Sequence, residues 1–396
     1  MGLYYMHMLS VRPDYEEKSE ASFKRAIELN PNNTQAFIWY SNLKSEDGLV
    51  PDEELALELM GKALEIDPLN RVANGNYQIQ LARLNRVPEA EANLRRLIKL
   101  DPEYYQYAWV LSSIMIFESR YVEAAEFLAT IPLDFGRLPR MVSQLLWSFD
   151  DEAAVYDFYG KVPVDHPGIE YITLIENTMK LTPPELVADA EIILMQPDPD
   201  GYGVMLSNAM MDLGEYELAR RLVVHARPNL GKETPELSGS GFSGTDQYVT
   251  AIYMLGDTDR AAGIARQVLK LQQDERYTGV AGREIGSAVC HLILGNTERA
   301  IEDIVNAHEA GWTGYYRWNI EEHPILSQIA GDSRIAAVKN AIDEELGRQR
   351  PAVYATLKQA GMLSEDFTWT ALSQPDESFL AATGDELAVR VENTAP

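Results

Sequence analysis

Cysteine is almost absent from this chain of 396 residues, with Cys290 standing alone. A single thiol can form neither an internal disulfide nor a cysteine-rich metal site. With no lysine or arginine beside it to lower its pKa, it reads as a buried, inert group and not a nucleophile. Basic residues are scarce as well: 34 lysines and arginines face 61 acids, a formal charge of −27. Nucleic-acid contact is therefore not expected, because phosphate binding needs clustered cations. No uncharged apolar run reaches the roughly 18 residues that a membrane span requires. The first ten residues lack a basic n-region and a small-residue cleavage site, so no secretory signal is read there. The histidines His7, His166, His225, His291, His308 and His323 never fall at metal-ligand spacing, and no His-Glu-x-x-His occurs. No metal and no cofactor are expected. The expected compartment is the cytoplasm, with the periplasm as the alternative.

What the sequence does hold is a phrase that recurs near its start. It runs from Phe23 to Pro31, from Met60 to Pro68 and from Leu94 to Pro102, so the prolines are 37 and 34 residues apart. Each phrase ends in Asn-Pro or Asp-Pro, where a helix must stop, since proline cannot continue it and disfavours helical geometry just before itself. A period of roughly 34 residues built from paired helices is the signature of a helical-hairpin solenoid. In that register Ser19, Phe23 and Ala26, then Ala56, Met60 and Ala63, then Ala90, Leu94 and Leu97 pack one helix against the next. Asp52, followed by Glu53 and Glu54, is a predicted helix cap.

The chain divides into 1–131, the N-terminal repeats; 132–199, degenerate helical repeats; 200–350, C-terminal repeats with a terminal cap; and 351–396, an acidic tail. A first helix is expected over residues 2–11. The run from Ile131 to Pro139 breaks the period, and the consensus returns near Leu206, Ser207, Gly214, Tyr216 and Ala219. Leu255-Gly256 and Leu294-Gly295 open two phrases that echo each other 39 residues apart, with glycine permitting the tight turn and the next Asp or Asn starting a helix. Ile335, Val338 and Ile342 give the last helix, expected to end at Arg350, one apolar stripe. The expected fold is all-α: a superhelix of helix pairs with a capping C-terminal helix and a loosely ordered tail.

The Ala-Ile-Glu-Leu-Asn-Pro and Ala-Leu-Glu-Ile-Asp-Pro phrases resemble the tetratricopeptide repeat (TPR) family. The ending, with Trp318, His323, Pro324, Leu326, Asp332, Arg334 and Gln349, looks like the final repeat of a bacterial subgroup. There the solenoid follows a winged-helix domain of the CadC/ToxR type, a TolB-like domain or a class III nucleotide cyclase. On that resemblance the chain reads as a detached or truncated sensor half. The resemblance implies a concave groove lined by first-helix residues Gln35, Ile38, Asn42 and Ser45, and Gln106, Trp109, Ser113 and Ile116. Some members clamp a peptide carboxylate with cations and asparagine at such positions. Here Asn42 fits, but Ile38 stands where the clamp wants a cation, so an extended or helical peptide is expected instead.

Other motifs carry bland readings. Gly239, Gly241 and Gly244 match G-x-G-x-x-G, but no strand precedes them, so a loop is expected. Asp198 and Asp200 before Gly201 lack the rest of a calcium loop. The adjacent pairs Asp150/Asp151 and Glu321/Glu322 do not by themselves make a catalytic pair. The functional expectation is a non-enzymatic protein-interaction scaffold, the partner-docking module of a bacterial signalling or transcription-regulatory protein. The alternative is a regulatory subunit that senses a small molecule in a pocket near 131–200. A homodimer is left open.

Overall fold

The computed structural model describes residues 15–45, 52–84, 86–163, 165, 166, 168, 181–195, 202–233, 235, 237, 245–272 and 283–368. The expected helix at 2–11, the glycine loop at 239–244, the Asp198–Gly201 turn and the tail from 369 onward lie outside these residues. Among the described residues there are seventeen α-helices and no strand, and none of the helices is long and apolar enough to cross a membrane.

The N-terminal arm comprises α1 (Glu16–Leu29), α2 (Thr34–Lys44), α3 (Glu53–Ile66), α4 (Arg71–Arg83), α5 (Val87–Leu100) and α6 (Tyr105–Phe117). α1, α3 and α5 each stop one residue before Asn30-Pro31, Asp67-Pro68 or Asp101-Pro102, as proline at the next position requires. α2, α3 and α4 are capped locally. Asn33, Asp52 and Asn70 accept the backbone N–H of Ala36, Leu55 and Ala73 with side-chain oxygens, satisfying donors that have no helical partner. Eight of the nine packing residues are buried as their spacing requires: Ser19, Ala56, Met60, Ala63, Ala90 and Leu94 are fully enclosed and Phe23 and Leu97 nearly so, while Ala26, near the end of α1, is only half-buried.

Next come α7 (Tyr121–Leu128), α8 (Leu138–Trp147) and α9 (Glu152–Tyr159), then α10 (Pro183–Ile193), α11 (Tyr202–Asp212) and α12 (Tyr216–Ala226). The series closes with α13 (Thr245–Met254), α14 (Thr258–Gln272), α15 (Arg283–Ile293), α16 (Thr297–Glu309) and α17 (Ser333–Gln359). Gly256 and Gly295 adopt φ of +89° and +77°, the left-handed geometry that glycine reaches without a Cβ penalty. From α1 to α9, and again from α10 to α17, each helix packs on the next, while α4, α6 and α8, and likewise α11, α13 and α15, also touch across the intervening helix. In the N-terminal half these second-neighbour contacts line up α4, α6 and α8 as an inner layer; α10 and α12 also touch across α11. The architecture is an all-helical, solenoid-like superhelix.

Its C-terminal end departs from expectation. The 350/351 boundary falls inside α17, which continues through Pro351 to Gln359. Burial of the residues beyond Pro351 outweighs its missing N–H, since Val353, Tyr354, Leu357, Met362 and Leu363 are all enclosed. Residues 351–368 thus belong to the folded body. α17 packs on both α16 and α7, with Ile335, Val338 and Ile342 buried. One core is shared between residues 81–162 and 285–367.

That closure is hydrogen-bonded in detail. Gln349 Oε1 accepts the backbone N–H of Tyr121 (3.0 Å) and Val122 (3.3 Å), while its Nε2 donates to the Ser119 carbonyl (2.8 Å). Arg350 donates to the Phe149 carbonyl, Tyr354 to Asp151, and Ser364 to Asp157. Two substitutions test this packing. Ala90→Leu is expected to overpack the α5 contact and cost about 1–3 kcal/mol; an unchanged urea midpoint would contradict the register. Gln349→Leu strands buried backbone groups on α7, and is expected to cost at least about 1–3 kcal/mol by the same measurement.

Candidate functional site

The inner layer of the N-terminal arm carries a relay of amides. Asn76 on α4 donates to Asn42 Oδ1 on α2 (3.1 Å), and Gln106 on α6 donates to Asn76 Oδ1 (2.9 Å). Tyr104 Oη closes the line on Gln106 Oε1 (2.6 Å). Each amide spends only part of its capacity on this relay, since a primary amide offers two N–H donors and two acceptor lone pairs. Further along, Ser113 on α6 donates to Gln144 Oε1 on α8 (3.3 Å). Arg137 and Arg140 lie over the rings of Tyr105 and Trp109, at 4.9 and 5.6 Å from the centroids. Amides, aromatic rings and two guanidinium groups thus meet along this strip.

The residues expected to face a groove are distributed as follows. Gln35 is exposed, and Asn42, Gln106, Trp109 and Ser113 are half-buried. Ile38 is a correction: it is 1% exposed inside the core formed with Phe37, Leu43 and Met60, so it offers a ligand no surface. Ser45 is also buried, its hydroxyl donating to the Asn42 carbonyl. Ile116 is 4% exposed. Sequence reasoning misses Asn76, although it stands 34 residues after Asn42, one full period later; an amide recurring at that interval is the available signal.

A second region lies where the superhelix closes. A pocket of about 250 Å³ is walled by Ile116 and Phe117 of α6, Asp246 of α13, Ile285 and Gly286 of α15 and the 312–315 turn. Of its described lining residues only Ser148 falls within 131–200, the segment where the alternative expectation placed a pocket. The direction of each hydroxyl bond here is fixed by where the protons can go. Ser119 Oγ donates to the Gly311 carbonyl (2.9 Å), so in its 2.6 Å contact with Thr313 it must accept. Thr313, having donated, accepts from Tyr121 Oη at 2.7 Å. Ser148 and Tyr315 both donate to the Gln144 carbonyl. These five hydroxyl protons are committed, and the oxygens keep lone pairs.

Among the described residues three non-glycine residues adopt left-handed geometry, Ser119 (φ 57°), Asp150 (51°) and Tyr315 (60°), and all three sit at this closure. Each costs about 1–2 kcal/mol for an L-residue, a strain held in place by the surrounding contacts. Burial pushes the Asp150 carboxyl up to about 6, against the opposing pull of the Arg317 backbone N–H and charge. Asp246 lines the pocket and is exposed; the protein packed near it pushes its carboxyl up to about 6, against the opposing pull of backbone N–H groups at the start of α13. Cys290 is buried, and burial, with Asp246 and Asp303 near it, pushes its thiol up to about 12. No cluster of three or more metal-ligating side chains occurs among the described residues.

No protein-family model matches this chain, and no curated protein matches it either.

His323, one of the C-terminal signature residues, has a definite structural task. Its Nδ1 accepts the N–H of Ile325 (3.1 Å) and Leu326 (3.2 Å), opening the short helical turn at Leu326–Ile329. Burial pushes its pKa down to about 4, from 6.5 in an open chain. A depressed histidine pKa means that the unfolded state takes up the proton first, so the stability tied to the neutral ring is complete above about pH 6.5 and lost as pH falls toward 4. His323→Asn keeps an acceptor near Nδ1 without a titrating group. The urea midpoint of the native chain is expected to fall more steeply between pH 7 and 4 than that of the variant. Parallel profiles would remove His323 as the cause.

Proposed function

We propose that this chain is a non-enzymatic docking scaffold that holds an extended polypeptide segment along the inner face of its N-terminal arm. The observation that carries the reading is the amide relay from Asn42 through Asn76 to Gln106. An extended peptide has an N–H and a C=O to satisfy at every residue, and a line of side-chain amides fixed to one another offers both, at intervals set by the helix repeat. Trp109 beneath Arg140 supplies an aromatic anchor at the far end of the strip, the residue type most enriched at binding hot spots. The overall negative charge acts on the rate of encounter more than on affinity.

On the same proposal the scaffold is a tetratricopeptide-type module of a bacterial signalling or transcription-regulatory protein. Its support is the recurrent Asn-Pro and Asp-Pro phrases and the resemblance borne by His323, Pro324, Leu326, Asp332 and Arg334.

Gly75→Ala tests the docking face without unfolding it. A Cβ at Gly75 would lie 2.9 Å from Gln106 Cδ, so the flexible Gln106 side chain must leave the relay. Alanine meanwhile favours a helix interior over glycine by about 0.5–1 kcal/mol. Peptides selected on the full chain from a randomised library are expected to bind the variant at least about tenfold more weakly, with the melting temperature unchanged or raised. Selected peptides that bind both proteins equally, or a library that yields none, would overturn the reading.

A further inference from the structure

The closure pocket is separate from the docking strip and has a chemistry of its own. Asp246 is the one charged side chain among its described lining residues, and it is exposed to the pocket's solvent. The walls around it are aromatic and aliphatic, from Phe117, Trp312, Tyr315 and Ile285. Phe117 is 50% exposed, an apolar ring left uncovered at the end of α6. The hydroxyls of Ser119, Tyr121, Ser148, Thr313 and Tyr315 have already donated their protons within the protein, so toward a ligand they act as acceptors, and the Asn319 amide beside them can turn its oxygen to a cation as well.

Each of these features selects for the same sign. An anion would meet the Asp246 carboxylate and hydroxyl lone pairs, with the Asn319 amide as the one side-chain donor left to it among the described lining residues. A bare metal ion would find one carboxylate where a hard cation needs six or more oxygens. An organic cation, by contrast, could set its charge beside Asp246 and its methyl or methylene groups on the aromatic faces, the arrangement by which aromatic walls hold ammonium groups. At about 30 Å³ for each small non-hydrogen centre, the volume of about 250 Å³ holds about eight such atoms.

We infer that this pocket is a binding site for a small monovalent organic ammonium ion, with Asp246 as its counter-ion and Phe117, Trp312 and Tyr315 as its aromatic wall. The protein packed around Asp246 disfavours its charged form, and an ammonium group beside it would favour that form.

The test uses choline and its neutral isostere 3,3-dimethyl-1-butanol, by isothermal titration calorimetry on the full chain. Because a chain of charge −27 attracts cations everywhere, the titration is run at 0.15 M salt, where the screening length is about 8 Å. Saturable one-to-one binding of choline is expected, with the alcohol at least about tenfold weaker. Asp246→Asn is expected to lose at least about tenfold in choline affinity without lowering the melting temperature. Asp259→Asn, which removes an exposed acid on α14, is expected to bind as the native chain does. Absence of saturable choline binding overturns the site. So does equal binding of the alcohol, an unaffected Asp246→Asn, or an equal loss in Asp259→Asn.

Discussion

One side-chain amide joins the two ends of the folded circuit. The first N–H groups of α7 lack helical acceptors, as at every helix N-terminus, and its N-cap residue, Arg120, supplies no side-chain cap. Gln349 supplies one from a helix 228 residues away, accepting the N–H of Tyr121. The same amide donates to the carbonyl of Ser119, which left-handed geometry at that residue turns toward α17. The packing of Tyr354 and Leu357, the registry of the 312–315 turn and the pocket behind it all presuppose that α7 and α17 are held together.

α6 connects the two regions of interest. Gln106 stands at its beginning, in the amide relay, and Ile116 near its end, in the pocket wall. Ten residues of helix separate them by about 15 Å. The docking strip and the closure pocket therefore share one straight element, packed on α4, α5, α7 and α8.

The features legible in the sequence are local ones. Proline-terminated helices, the Asp52 cap and the glycine turns at Gly256 and Gly295 follow from the chemistry of a few adjacent residues, and the structure repeats them. Small residues at Ala56, Ala63 and Ala90 follow from close helix contact, and these too are buried as expected. The failures have a common cause. Pro351 reads as a stop because nothing nearby in sequence reveals that Val353, Tyr354 and Leu357 will be buried. Register alone sends Ile38 to the groove, while burial among Phe37, Leu43 and Met60 decides otherwise. Left-handed Ser119 and Tyr315, and the pocket assembled from α6, α13 and α15, depend on contacts between distant segments. The relay is half legible: Asn42 and Gln106 stand out by register, and Asn76 between them does not, although it repeats Asn42 at the period.

An ordinary solenoid can be stabilised repeat by repeat as it lengthens, since each unit needs only its neighbours. This one cannot finish that way. α7 leaves the ribosome with the surface that Gln349 and Tyr354 will cover, and those residues are still more than two hundred positions from being made. At about 5–20 residues per second, the nascent chain carries that apolar surface, with Tyr121 and Phe149 at its centre, uncovered for roughly 10–45 s. Until α17 docks, nothing else in the described structure covers that aromatic surface as Gln349 and Tyr354 do.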